Sequence, residues 1–264
     1  MDNIFLLKLV LSFIVGSFWI TTGTVLAEKH GTKIGGLVAG LPSTILISLF
    51  FIAWTQSTRV AVEATTIVPI IGGINCLFIV AYIFLLRINF WLALSGSLLV
   101  WLLFSSALVL IKFSSLTLSL IAYVCLLIIS YYVVERKLQI KSESGKTIRY
   151  TSSIMIFRGL FSGFIIALTV VLAKIGGPLL GGMFAMFPAM FIGTLFITYF
   201  AHGASFSSAV MKASILGAIS VVIYGVAVRY TYLPFGLWAG TFISIIISYG
   251  GAFLVHHFIA GKAA

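Results

Sequence analysis

A chain of 264 residues with 61% apolar and only 8% charged side chains has too few charges to coat a water-facing surface; soluble domains carry roughly 25%. A mean hydropathy of +1.23 points the same way, to an exterior that faces lipid. The net charge of +11 is scattered over short segments, which argues against a nucleic-acid partner and for anionic lipid headgroups.

Only helices and closed barrels satisfy all backbone polar groups inside a bilayer. The apolar runs here are about 20 residues long and do not alternate with period two, so they read as helices rather than barrel strands. In chain order the runs cover 4–27, 34–54, 66–86, 90–111, 114–134, 152–173, 175–200, 211–228 and 234–258. Met1-Asp2-Asn3 is acidic and no small-residue cleavage site follows, so the first run is expected to be a retained helix rather than a signal peptide. The stretch 90–134 is too long for one crossing and is expected to turn at Lys112-Phe113-Ser114-Ser115. Cys76 and Cys125 fall in separate runs and read as small buried side chains rather than a disulfide. Trp54, Trp91 and Trp238 sit at run ends, as interfacial anchors do. Trp19 and Trp101 lie deeper, where packing competes with lining a cavity.

Nine crossings place the chain ends on opposite sides. Arg59, Lys112, Lys174 and Arg229 fall on one side. Lys29, Lys33, Arg87, Arg136, Lys137, Lys141, Lys146, Arg149, Lys212 and Lys262 fall on the other. The richer side is expected to be cytoplasmic, with the N-terminus outside and the protein multi-pass in the cell inner membrane.

Residues 25–50 laid over 171–196, an offset of 146 without gaps, agree at ten of 26 positions. Gly31, Gly35, Gly36 and Pro42 fall on Gly177, Gly181, Gly182 and Pro188. Further on, Glu63-Ala64-Thr65 resembles Lys212-Ala213-Ser214, and Gly96-Ser97 resembles Gly240-Thr241. The expected fold is therefore all-α and polytopic. Two four-helix repeats, 1–111 and 152–264, flank a linker helix with a basic loop at 112–151. Five crossings separate equivalent helices, so the repeats face opposite ways, the common plan of secondary transporters.

Each repeat carries Gly-Gly followed six residues later by proline: Gly35-Gly36 to Pro42, and Gly181-Gly182 to Pro188. Within a regular helix proline strands the carbonyl four residues back, here those of Val38 and Phe184. Two readings compete. Small residues and prolines pack and kink membrane helices; a broken helix at equivalent places in two halves builds a substrate site. Ser43 and Thr44 offer hydroxyls beside Pro42, whereas Ala189 and Met190 beside Pro188 do not.

Intramembrane charge is scarce. Lys8 and Arg158 lie several residues inside their runs, either snorkelling to the interface or attracting an anion. Glu63 and Lys212 begin equivalent helices and are candidates for a charged gate on opposite faces. With no central carboxylate, proton coupling and divalent-metal binding are disfavoured. Met183, Met186 and Met190 share a helical face that reads as packing rather than Cu(I) ligation. His30, His202 and His256-His257 read as interfacial. No nucleotide loop, metal spacing or nucleophile motif appears, so neither an enzyme nor a cofactor is expected.

Leu172-Ala173-Lys174, Phe187-Pro188, Lys212-Ala213-Ser214 and Leu233-Pro234 before Gly240 make the second half resemble the GlpM family of short, roughly four-helix inner-membrane proteins. The first half is a weaker match, with Glu63 where a basic residue would be expected. The resemblance implies a module rather than an activity: two such modules fused in opposite orientation. The expected function is a secondary transporter or exchanger of a small solute or ion, working by alternating access. The alternatives are a lipid flippase or scramblase, or a non-transporting membrane subunit. Membrane lipids and a small solute, ion or lipid substrate are the expected partners, and a homo-oligomer is compatible.

Overall fold

The computed structural model describes residues 3–29, 42–140 and 152–260, with side chains for 3–23, 42–140 and 152–254. Every regular element among them is helical: α1 (Asn3–Lys29), α2 (Ser43–Thr55), α3 (Thr58–Ala64), α4 (Val68–Leu85), α5 (Phe90–Leu110), α6 (Leu116–Tyr132), α7 (Ser152–Ala185), α8 (Ala189–Gly217) and α9 (Ile219–Ala260). A π-helical turn, Val133–Lys137, extends α6. Five of the described helical stretches are long and apolar enough to cross a bilayer. The protein is thus an all-helical membrane protein. Lipid-facing side chains are apolar, as at Leu99, Leu103, Phe104 and Leu110 on α5 and Ile121, Ile128 and Ile129 on α6. Helix α4 lies at the centre, with Val68, Ile71, Phe78, Ile79 and Tyr82 fully buried.

The fifth stretch, residues 152–254, is far too long for one crossing. Gly177 (φ 82°), Gly203 (φ 84°) and Gly236 (φ 72°), all with ψ near 180°, divide it. That backbone region is essentially closed to residues with a Cβ. Two turns earlier in the chain use polar caps instead. Ser57 and Asn89 are extended, and their side chains accept the N–H groups of Val60 and Leu92. Each cap satisfies one of the amides a helix start leaves open. Pro42 to Pro188 and Ser57 to Gly203 are 146 residues, and Asn89 to Gly236 is one more, 147. The last spacing also pairs Trp91 with Trp238 and Ser97 with Ser244, a different register from the Gly96-Ser97 to Gly240-Thr241 match.

Helices α1 and α7 pack antiparallel. Gly16 lies against Gly163 and Ile166, Ser17 against Gly163, and Thr21 against Gly159. Lys174 near the far end of α7 sits over the ring of Phe5 near the start of α1. Gly159 and Gly163, four apart on one face, let the backbones approach closely: a Cβ on Gly163 would come within 2.7 Å of the Phe13 carbonyl oxygen.

Apart from the buried Arg158, the charged residues described below sort to the two ends of the bundle. Lys8 donates to the Trp54 carbonyl at 2.7 Å, which joins the start of α1 to the end of α2 and the neighbouring α3. Arg229 of α9 donates to the Val62 carbonyl and to Thr66 Oγ1, at the same end. At the other end Arg87 donates to the Leu138 carbonyl, and Lys212 donates to the Ile140 carbonyl and pairs with Glu135.

Several expectations change. The span 175–200 is not one helix; it breaks between Ala185 and Ala189. The span 211–228 is divided between α8 and α9, and the short α3 was not expected. The described part of the span 34–54 is α2. Cys76 is buried, whereas Cys125 is exposed on the outer face of α6. Trp101 is buried and packs on Phe187, while Trp19 faces outward. The turn after α5 falls where expected, with Lys112 in the left-handed region and Ser115 capping α6.

Candidate functional site

Helix α7 stops at Ala185 because Pro188 cannot continue it, and α8 begins immediately after. Pro188 is the N-cap of α8 (φ −75°, ψ 38°), and Pro42 is the N-cap of α2 (φ −74°, ψ 49°). Each proline therefore starts a helix rather than kinking one. The expected orphan at Phe184 does not exist, because its carbonyl accepts the Phe187 N–H at 3.0 Å. Met183 and Ala189 are tied into the same tight turn, through Met186 N to the Met183 carbonyl and Ala189 N to the Phe187 carbonyl. The carbonyl of Met186, two residues before the proline, takes a side-chain partner. It accepts the Asn75 side-chain amide at 3.0 Å.

Asn75 lies mid-way along α4, is 7% exposed, and leaves its Oδ1 without a hydrogen-bond partner. The neighbouring turns of the two helices hold each other by Phe78 stacked on Phe191. Arg158 of α7 reaches the first turn of α8 from another side. It is 8% exposed, its Nη2 donates to Met190 Sδ at 3.6 Å, and its methylenes lie against Gly193. A Cβ on Gly193 would sit 3.2 Å from Arg158 Cγ, so the glycine leaves room for the arginine stem. Trp101 and Phe161 pack on Phe187 and close the remaining flank with aromatic rings. A helix start leaves its first N–H groups without intrahelical partners and carries a partial positive charge. The break thus gathers a positive helix end, a guanidinium and an unfilled amide acceptor in a low-dielectric interior.

The residues singled out in sequence are distributed as follows. Pro188 is at the break. Gly181 and Gly182 are one turn and more before it and serve packing: Gly181 against Ala173 and Ile52, Gly182 against the Ala64 carbonyl and Ile67. Pro42, Ser43 and Thr44 start α2, with Thr44 buried and its Oγ1 unpartnered. Gly35 and Gly36, and the carbonyl of Val38, lie outside the described residues, as do Lys33, Lys146 and His30. Glu63 pairs with Arg59 one turn away at 3.3 Å, both exposed. Lys212 pairs with Glu135 at 2.5 Å, at the opposite end of the bundle. Glu63 and Lys212 therefore do not meet. Arg158 is buried rather than snorkelling to water, and Lys8 is held by the Trp54 carbonyl. Met183, Met186 and Met190 do not share a helix face, because the break separates them.

Two further contacts lie at opposite ends of α4. At its start is the Arg229 contact with Val62 and Thr66, 2.9 Å to the Thr66 hydroxyl. In its last turn Tyr82 OH meets Ser207 Oγ at 2.9 Å, and Thr198 Oγ1 meets the same serine at 2.9 Å.

Residues 9–114 match the family model DUF3147, described as a protein of unknown function. No curated protein matches the chain. No solved structure matches it either. The matched segment is about two fifths of the chain and nearly coincides with the first proposed repeat.

Asn75 and Arg229 were not singled out in sequence. The signal for Asn75 was available: it is the carboxamide that lies deep inside an apolar span, where every polar group needs a reason. Arg229 looked like a loop charge because the run 211–228 was expected to end before it, whereas α9 continues through it.

Proposed function

We propose that this protein is a secondary carrier of a small solute, built from two repeats of opposite orientation that alternate access to a site at the α7–α8 break. The observation that carries the reading is the pair of contacts at the two ends of α4. Arg229 of the second repeat holds Val62 and Thr66 of the first; Tyr82 of the first repeat holds Ser207 of the second. Arg229 and Tyr82 are 147 residues apart, and Ser207 falls 146 residues from Ala61, beside Val62. Equivalent positions thus make equivalent latches, about 24 Å apart along α4 at 1.5 Å per residue. A carrier needs this: one closure on each face, interchangeable by symmetry.

The antiparallel crossing of α1 and α7 supports the inverted arrangement. Gly16-Ser17 and Ser162-Gly163 are equivalent under the 146-residue offset, and they meet each other at the crossing. Equivalent residues of antiparallel helices meet where a two-fold axis lies across the helices, in the plane of the membrane. The extent of the family match, 9–114, fits a four-helix module as the unit, and a GlpM-like module in the second half is part of the same proposal. With Arg87, Arg136, Lys137 and Lys212 at one end of the bundle, that end is assigned to the cytoplasm and the N-terminus to the outside.

The lipid-handling alternative needs a polar groove for a headgroup. The groove between α6 and α9, about 420 Å³, has walls of Leu120, Val124, Val222, Ile223 and Val226, and offers mainly apolar surface.

The test needs no known substrate. A single cysteine is placed at Ala189, in a background with Cys76 and Cys125 replaced by alanine. A membrane-impermeant thiol reagent is then added to vesicles of each orientation. A carrier exposes position 189 to both sides in turn, so both preparations are modified. Modification in neither, or in one alone, sinks the alternating-access reading.

A further inference from the structure

We infer that the site at the α7–α8 break takes a small anion that carries a hydrogen-bond donor of its own, such as a protonated oxyanion or a hydroxy acid. The inference deepens the carrier proposal and rests on it for the site's role, although binding itself can be tested apart from transport.

Three groups set the class. The start of α8 at Pro188 presents the N–H groups of Met190 and Phe191, that of Ala189 being taken by the Phe187 carbonyl, and the positive end of the helix dipole. Arg158 brings a permanent cation to the same turn, at Met190 and Gly193, deep in the protein. Both favour negative charge, and in a low-dielectric interior each weighs more than at a surface. Anions and helix starts combine readily for this reason.

Asn75 supplies the discriminating element. Its amide nitrogen is committed to the Met186 carbonyl, which fixes which way the carboxamide points. The oxygen, with under a tenth of the residue exposed, is therefore an acceptor with nothing to accept. A buried acceptor without a partner is costly, and the cost is recovered when a ligand donates to it. An anion made only of acceptors would instead set lone pairs against lone pairs. A fixed acceptor of this kind admits an anion with a proton to donate and rejects its bare counterpart, as sites built around a buried polar group reject analogues that leave it unpaired. The aromatic wall of Phe78, Phe191, Trp101, Phe161 and Phe187 keeps bulk water from competing for the same positions.

Matched probes test the class. The purified full-length protein is unfolded thermally in detergent, at constant ionic strength and neutral pH, with phosphate against sulfate and with lactate against propionate. In each pair only the first member carries a donor. A ligand that binds the folded state raises its unfolding temperature by mass action. The donor-bearing member of at least one pair is expected to bind about tenfold more tightly than its mate, the scale for one hydrogen bond. Phosphate preference alone assigns a protonated inorganic oxyanion, and lactate preference alone a hydroxy acid. Asn75→Leu should remove the preference while both mates of the favoured pair keep weak binding, and Arg158→Gln should weaken both mates together. No stabilisation of the wild type by any of the four probes overturns the inference, and so does equal stabilisation within both pairs. A preference that survives Asn75→Leu overturns the assignment to that residue. If Asn75→Leu does not fold, the wild-type comparison still decides the class. Failure here leaves the Ala189 accessibility result standing, so the substrate class and the carrier reading fail separately.

Discussion

Ser17 and Gly163, 146 residues apart, touch at the crossing of α1 and α7, and a Cβ on Gly163 would collide with the Ser17 side chain and the Phe13 carbonyl. Gly163→Leu should therefore force the two helices apart and cost about 1–3 kcal/mol, the usual scale of overpacking. Gly217→Leu is the control, since nothing lies within 4 Å of its Cβ position. Thermal unfolding in detergent should show a clear loss for the first and little change for the second. Equal behaviour would contradict the close crossing.

The Asn75 to Met186 hydrogen bond makes a second prediction. Asn75→Ala leaves the Met186 carbonyl buried without its donor and should destabilise the protein by about 1–3 kcal/mol. Replacing the exposed Ser95, whose hydroxyl bonds only within its own helix, should have a much smaller effect. Chemical denaturation of both variants in the same detergent makes the comparison.

The glycine breaks are tested by adding a single methyl group. Gly203→Ala and Gly236→Ala place a Cβ where φ is 84° and 72°, and each should cost about 1–3 kcal/mol. Gly217→Ala, in ordinary helical backbone, should leave stability unchanged or raise it by about 1 kcal/mol. Serine or asparagine at 203 and 236 should also destabilise. The caps Ser57 and Asn89 use extended backbone with φ of −167° and −162°, which the glycine turns do not share.

Much of this architecture was legible from sequence because a bilayer imposes one length on every crossing. Runs such as 66–86 and 90–111 reduce to α4 and α5 with shifts of at most two residues at either end. The Pro42 to Pro188 correspondence was legible too, and the two prolines do adopt nearly the same backbone angles. What failed was the assumption that helix continues through an apolar run. Phe184 keeps its hydrogen bond because the chain turns before Pro188, and it is the Met186 carbonyl that takes a side-chain donor. Gly177, Gly203 and Gly236 were unreadable as reversals, since in so apolar a chain a glycine that breaks a helix looks like one that packs it. The partners of Arg229 and Tyr82 lie 163 and 125 residues away, beyond any local pattern.

The two ends of α4 should be separable by topology. Cysteines placed at Arg59 and at Lys137, both exposed, should react with an impermeant reagent from opposite sides of intact cells, with 137 facing the cytoplasm. Reaction of both from one side would break the arrangement of crossings on which the carrier proposal rests.

The most direct test of alternating closure is the distance across each latch. One spin-label pair is placed at Arg59 and Tyr230, beside the Arg229 contact, and another at Arg87 and Ser205, beside the Tyr82 contact. Arg229→Met should widen the first pair and leave the second closed. Tyr82→Phe combined with Ser207→Ala should do the converse. In the combined variant, molecules should divide between the two openings, and none should have both pairs wide at once. Widening of both pairs together, or of neither, would contradict a carrier that opens one face at a time.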